Sequence, residues 1–181
     1  MKALGQIVDA HSIRFERELP CSIDTAWDYL TQPGRLSTWL ADGSIEPRVG
    51  GRVELNFDVE ELPERAQGGD AIRGAVSLCV PRRVLAYTWM SPEQAAAEST
   101  DPASTVTFAL EPENSHTRLT LTHRHLPADA IPRCAAGWHT HLEVLLARIQ
   151  NRSPESFLEM WRRLLPVYEQ KTGVKQKLSV Q

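Results

Sequence analysis

Cysteine is scarce in this chain: Cys21, Cys79 and Cys134 are odd in number and far apart. Such a set argues against a disulfide framework and for a reducing compartment. Long apolar runs are missing. Nowhere do 18 apolar residues stand in a row, and the opening MKALGQIVDAH holds no stretch of signal-peptide length. Membrane insertion is therefore not expected, and the reading is a soluble cytoplasmic protein. Positive charge is neither abundant nor concentrated: 20 Lys and Arg against 23 Asp and Glu give a net charge of −3, with no basic stripe. Nucleic acid is thereby excluded as an expected partner. Internal repeats and low-complexity tracts are absent too. The glycine pair in Val49-Gly50-Gly51 reads as a turn; it lacks the strand–GxGxxG–helix setting of a phosphate loop, and no cofactor is expected. No spacing singles out a Ser-His-Asp set or a carboxylate pair.

What is present is an ordinary globular balance, 41% apolar and 24% charged, long enough for one self-sufficient core. The chain reads as a single domain over residues 1–181, with its core at 12–150 and an additional helix at 153–172. The organising stretch is Ile131–Ile149, IPRCAAGWHTHLEVLLARI. At about 100° per residue, Ile131, Cys134, Trp138, Leu142, Leu145 and Ile149 fall in one stripe. Pro132 suits the first turn. Glu143, Ala147 and Gln150 lie on the far side, and His139 with Glu143 reads as an outward i, i+4 surface pair. Gly137 costs about 1 kcal/mol against Ala inside a helix. It implies either the close approach of another backbone or room beside Trp138.

Upstream, alternation dominates. Ser12–Leu19 places Ile13, Phe15 and Leu19 on one face, broken by Arg17. That arginine sits either at the open end of a sheet or in a polar part of the interior. Ile7 and Val8 suggest a short lead-in strand. Ser22 is a plausible N-cap for a helix to Thr31, with Ile23, Trp27 and Leu30 inward. A second short helix is expected over Leu36–Leu40, and Ser44–Pro47 suggests a short strand. Further strands are expected at Arg52–Glu60, Ala71–Val80 (Ile72, Val76, Leu78 and Val80 on one face), Arg83–Met90, Ser104–Leu110 and Thr117–His125. Residues 61–70 and 91–103 read as loops, the latter mobile. Ser153-Pro154-Glu155 marks a helix start, with Phe157, Trp161, Leu164, Leu165 and Tyr168 on its buried face, Pro166 as a kink and a frayed tail after Gly173. That helix is expected to pack outside the main body or against a second subunit, which hints at a homodimer. One wet face on every strand implies an antiparallel meander. The fold class is thus α+β: a sheet of six to seven strands curled around a long C-terminal helix, with two short helices after the first full strand.

An ordered set of segments carries a resemblance: RFERELP (Arg14–Pro20), Trp27 with Tyr29-Leu30-Thr31, Trp39-Leu40, RVGGRVEL (Arg48–Leu55), LAYTW (Leu85–Trp89), VTFAL (Val106–Leu110), LTHRHLP (Leu121–Pro127) and AAGWHTHL (Ala135–Leu142). Over residues 12–150 the chain resembles the activator of heat-shock protein 90 ATPase homologue-like family of the START-like (SRPBCC) superfamily. The segment bearing Phe157 and Tyr168 is similar to one bacterial branch. The resemblance implies a helix-grip fold with a hydrophobic cavity between sheet and helix, and no agreed catalytic residue. Members of the wider superfamily bind lipids, hormones or polyketides, and some cyclise or dehydrate them.

The candidate residues follow. Trp39, Phe57, Trp89, Phe108, His123, Trp138, His141 and Leu142 are expected to wall a cavity for an apolar small molecule; core packing is the competing reading. His123 and His125 share a strand face, and His141 flanks the helix stripe, so the three could converge at one end of the cavity. A converged set admits ligand polarity, proton transfer or a zinc site, against purely structural roles. No catalytic residue is assigned beyond His123 and His141 as candidates, and no metal. Cys134 reads as a buried small hydrophobe. Three functions stand: binding of a hydrophobic small molecule; a cyclase or dehydratase using His123 or His141; and a co-chaperone-like stress-response module with a chaperone as partner.

Overall fold

The computed structural model describes residues 3–57, 71–97 and 102–174. The ends of two expected elements, residues 58–60 of the fourth strand and 98–101 of the second loop, lie outside these, as do the polar loop at 61–70 and the tail from 175.

Eight strands form one antiparallel sheet: β1 (Gln6–Asp9), β2 (Ser12–Leu19), β3 (Asp42–Ile45), β4 (Arg52–Asn56), β5 (Ala71–Val80), β6 (Val84–Thr88), β7 (Thr105–Glu113) and β8 (His116–Arg124). Their order is β1-β2-β8-β7-β6-β5-β4-β3. The expected count rises to eight because both short flanking segments find a partner, β1 on β2 and β3 on β4. Between β2 and β3 stand α1 (Ile23–Thr31) and α2 (Pro33–Leu36). Ser22 caps α1 as expected, its hydroxyl accepting from Thr25 N–H. The second helix comes three residues earlier than its pattern suggested, because Pro33 starts it and Leu36–Leu40 continues as a turn. Leu36, Trp39 and Leu40 still point inward. In α1, Leu30 is buried while Ile23 and Trp27 are half-buried.

Register explains the core. Ile13 pairs with His123, His123 with Val106, Val106 with Tyr87 and Tyr87 with Val76, one rung across five strands. The next rung runs Phe15, Leu121, Phe108, Leu85 and Cys79. Both rungs face the long helix α4 (Ile131–Ile149), whose bounds and inward Trp138, Leu142 and Leu145 are as expected. The alternation fails in β5. A bulge between Val76 and Leu78 adds a residue, so Leu78 and Val80 turn to the outer face, 46% and 45% exposed, and Cys79 takes the inner position. Ser91–Ala97 is not a mobile loop. It holds α3 (Pro92–Ala96) behind a capping box, in which Ser91 Oγ accepts from Gln94 N–H and Gln94 Oε1 accepts from Ser91 N–H.

The last helix, α5 (Phe157–Thr172), begins later than expected, behind the N-cap Ser156 rather than Ser153. It packs on α4 of its own chain, which buries Tyr168 of the expected face and leaves Phe157, Trp161, Leu164 and Leu165 half-buried. This placement changes the far side of α4. His139 is not an outward surface residue, nor is Ala147: both are buried, His139 against Tyr168 of α5. The second helix demands small or polar residues where the stripe reading placed water.

Candidate functional site

Three arrangements of side chains lie around α4: a sealed aromatic column, an open cleft and a buried polar set. The sealed one is an aromatic column between sheet and helix. Trp138 packs tilted against Trp89 at 5.1 Å and edge-to-face against Phe108 at 5.9 Å between ring centres, and Tyr87 lies against both Trp89 and Phe108. His123 closes the column. The indole N–H of Trp138 donates to its Nδ1 at 2.9 Å, since an indole nitrogen only donates. The imidazole proton therefore sits on Nε2 and donates to Ser104 Oγ at 2.5 Å. Both nitrogens are engaged, and burial drives the ring's pKa down to about 3. His123 is a neutral wall group. Cys134 lies 4.0 Å from the same Nδ1, its thiol pushed up to about 12 by burial. That agrees with a small hydrophobe and not with a nucleophile. The hydroxyl of Tyr87 is buried with no partner among the described residues, and burial holds its pKa far above the usual phenol value.

Of the residues expected to line a cavity, Phe108, His123, Trp138 and Leu142 are packed against one another and the sheet. Trp39 is also buried, and it lines the cleft described below. Phe57 and Trp89 are half-buried and 5.8 Å apart. The three histidines do not converge. His125 lies past the end of β8 with φ 58° and is exposed, its Nδ1 on the carbonyl of Ala103. His123 and His141 are each 6.1 Å from the Trp138 ring, which separates them. Among the described residues no group of three or more His, Cys, Asp or Glu could hold a metal ion.

The open arrangement is a cleft of about 640 Å³ on the flank of α4. One wall is the Ser37–Asp42 turn, another is Asn56 and Phe57 at the end of β4, and a third is Pro154–Phe157 at the start of α5. Its floor is the row His141, Val144 and Arg148. Spacings of three and four residues place that row on one face of α4. Aromatic groups surround His141: Phe157 at 4.7 Å, Phe57 at 6.0 Å and Trp138 at 6.1 Å. Its Nδ1 lies 2.9 Å from the carbonyl oxygen of Trp39, which can only accept, so Nδ1 carries the proton. Burial lowers the ring's pKa to about 4 in spite of that bond. Trp39 is held in turn by its indole N–H on the carbonyl of Tyr29. Val144, Arg148 and the Pro154–Ser156 approach were not anticipated. The i, i+3, i+7 row from His141 was a readable signal, but only α5 gives it an opposing wall.

A buried polar set lies at the other end of α5. Arg17, 6% exposed, turns into the interior. Its Nε is 3.4 Å from Glu143 Oε1 on α4, and Nη1 donates to the carbonyl of Glu16. Burial lowers the guanidinium's pKa and the Glu143 carboxylate opposes this. Glu143 Oε1 is also 4.0 Å from His139 Nε2, which favours the proton there. Nδ1 of His139 is then free to accept from the Tyr168 hydroxyl at 2.9 Å, and that hydroxyl accepts from Gly5 N–H at 2.8 Å. Burial pushes the Tyr168 phenol up to about 12. The set ties α5, α4, β2 and the N-terminal segment together.

A curved antiparallel sheet closed over one long helix, with a flank cleft beside it, defines the helix-grip class of START-like domains. Residues 20–150 match the family described as activator of Hsp90 ATPase homolog 1-like protein, and the chain belongs to that family. Among solved structures it is similar to the protein encoded by gene BPP1335 of Bordetella parapertussis, at 32% identity over 94% of this chain and 91% of that one, with a TM-score of 0.73. It also shares its fold with CalU16 of Micromonospora echinospora, at 19% identity over 93% and 94% of the two chains, TM-score 0.67. A third similar structure is DynU16, described as a putative protein in the dynemicin biosynthetic locus, at 20% identity over 80% of this chain and 49% of that one, TM-score 0.61. No curated protein matches the chain. None of the described helices is long and apolar enough to cross a membrane.

Proposed function

We propose that the protein binds an apolar aromatic small molecule in the cleft between the Trp39 turn, Phe57, the His141 face of α4 and Phe157. The observation that carries this reading is the cleft itself. It has about 640 Å³, within the usual range for small-molecule sites, and aromatic rings converge on one polar group. Family membership and the likeness to proteins such as DynU16 are consistent with a ligand-binding role. An acid–base enzyme is less well supported, because His123 has both nitrogens engaged and a very low pKa. That chemistry would fall to His141 alone, whose pKa of about 4 makes it a weak base at neutral pH. Nothing in the site favours a co-chaperone role.

The test is titration with the fluorescent aromatic probe 8-anilinonaphthalene-1-sulfonate. The natural chain should bind one equivalent. Ser37→Trp, which places a ring in the cleft from its exposed rim, should weaken binding about tenfold, equivalent to about 1.4 kcal/mol, with unchanged circular dichroism. Equal binding by the filled variant would move the site elsewhere.

A further inference from the structure

The polarity of the cleft's central group is one-sided. Nδ1 of His141 is committed to the backbone carbonyl of Trp39. A neutral imidazole with its proton on Nδ1 offers only a lone pair at Nε2. No described residue donates to that nitrogen. Nor is it a sealed polar atom without a hydrogen bond, as Tyr87 Oη is. Nε2 therefore keeps accessible surface, and the open space that His141 lines is the cleft. The ring cannot turn to present an N–H instead without giving up its bond to Trp39. Nor does it become a donor by protonation near neutral pH. Around it stand Phe57 and Phe157, which present ring faces and edges.

We propose that His141 makes the cleft selective for aromatic ligands that carry a hydroxyl or N–H donor, with that donor given to Nε2 while the ligand ring packs against Phe57 and Phe157. This rests on the cleft being the binding site, and it adds a ligand class: phenol-type aromatics over their ethers, ketones and carboxylates. An acceptor-only ligand leaves two lone pairs facing each other and an Nε2 stripped of water, which costs more than the missing bond. Several other polar side chains lining the cleft are already engaged. Arg148 Nε donates to the carbonyl of Thr38, Asn56 Oδ1 accepts from Arg73, and Glu155 pairs with Arg163.

The experiment compares 2-naphthol with 2-methoxynaphthalene at neutral pH, where the naphthol keeps its proton. Dissociation constants are read from quenching of the tryptophans by each compound. The natural chain should bind the naphthol about five- to tenfold tighter, the factor expected of one hydrogen bond in a partly desolvated site. In His141→Phe the ratio of the two dissociation constants should fall to about one. His141→Gln, whose amide oxygen can accept, should restore part of the preference. The 15N shift of His141 Nε2 in the natural chain gives a readout independent of how either variant folds: it should move with the naphthol and stay fixed with the ether. Equal affinities in the natural chain, or a preference retained in His141→Phe, would overturn the selectivity and leave the cleft reading standing. Failure of both compounds to bind would overturn both.

Discussion

His123 and Arg17 are polar residues in interior positions, and they behave oppositely under a change of conditions. His123 is neutral in the folded state with a pKa of about 3, against about 6.5 when unfolded. Between those values the unfolded chain binds the extra proton, so stability falls as pH drops below about 6.5 and stops falling near 3. The slope from this one group approaches about 1.4 kcal/mol per pH unit. His141 acts in the same direction, less strongly because it faces the cleft. Urea unfolding at pH 7, 6, 5 and 4.5 should show this slope, and His123→Gln should flatten it by about one proton; an unchanged slope would contradict a neutral buried imidazole. Arg17 keeps its charge by pairing with Glu143. Glu143→Gln leaves the guanidinium buried without a counter-charge and should destabilise the fold by about 3 kcal/mol. The double replacement Arg17→Met with Glu143→Leu should recover most of that loss, which a denaturation cycle over the four proteins would reveal. From the sequence, Arg17 was visible only as an interruption of an apolar face. Two destinations fitted it equally, because the partner that decides between them lies 126 positions away on another element.

Elements divide according to whether their pattern answers to one neighbour or two. α4 was legible to the residue at both ends, since its inner stripe meets a single continuous surface. Its outer face was misread at His139 and Ala147 because α5 supplies a second surface that the stripe does not announce. Gly137 lies on neither: a Cβ built there meets nothing within 4 Å. Of the two compensations considered for this glycine, close backbone approach is therefore ruled out. Gly137→Ala should stabilise the protein by about 0.5–1 kcal/mol through helix propensity alone, read as a rise in thermal midpoint. Gly43 in β3 is the opposite case. It holds φ 135°, and a Cβ would meet the Glu54 carbonyl oxygen at 2.0 Å, so Gly43→Ala should destabilise by more than about 1 kcal/mol. α5 is anchored unevenly. Tyr168 is fully buried with bonds to Gly5 and His139, while Phe157, Trp161, Leu164 and Leu165 are only half-buried. Tyr168→Phe removes both bonds and should speed amide exchange along α5 well before that of α4; equal protection in the two helices would show that packing alone holds α5.

At the scale of the whole molecule, the sheet, α4 and α5 form a layered body in which the described cleft opens where the layers part, beside the first turn of α5. A ligand seated there touches three layers at once. It should raise the thermal midpoint of the whole chain, by the equivalent of about 2.7 kcal/mol at a hundredfold excess over its dissociation constant.

Short-range pattern was enough for the strand alternation, the cap at Ser22, the bounds of α4 and the family's ordered segments. Each depends on periodicity or on contacts a few residues apart. The bulge that turns Leu78 outward, the separation of the histidines by Trp138 and the lone pair left open on His141 depend on which backbone or ring arrives from a distant part of the chain. Periodicity assigns a residue to a face. Only packing decides what stands opposite that face, and so whether a polar group there is sealed, paired or left open to a ligand.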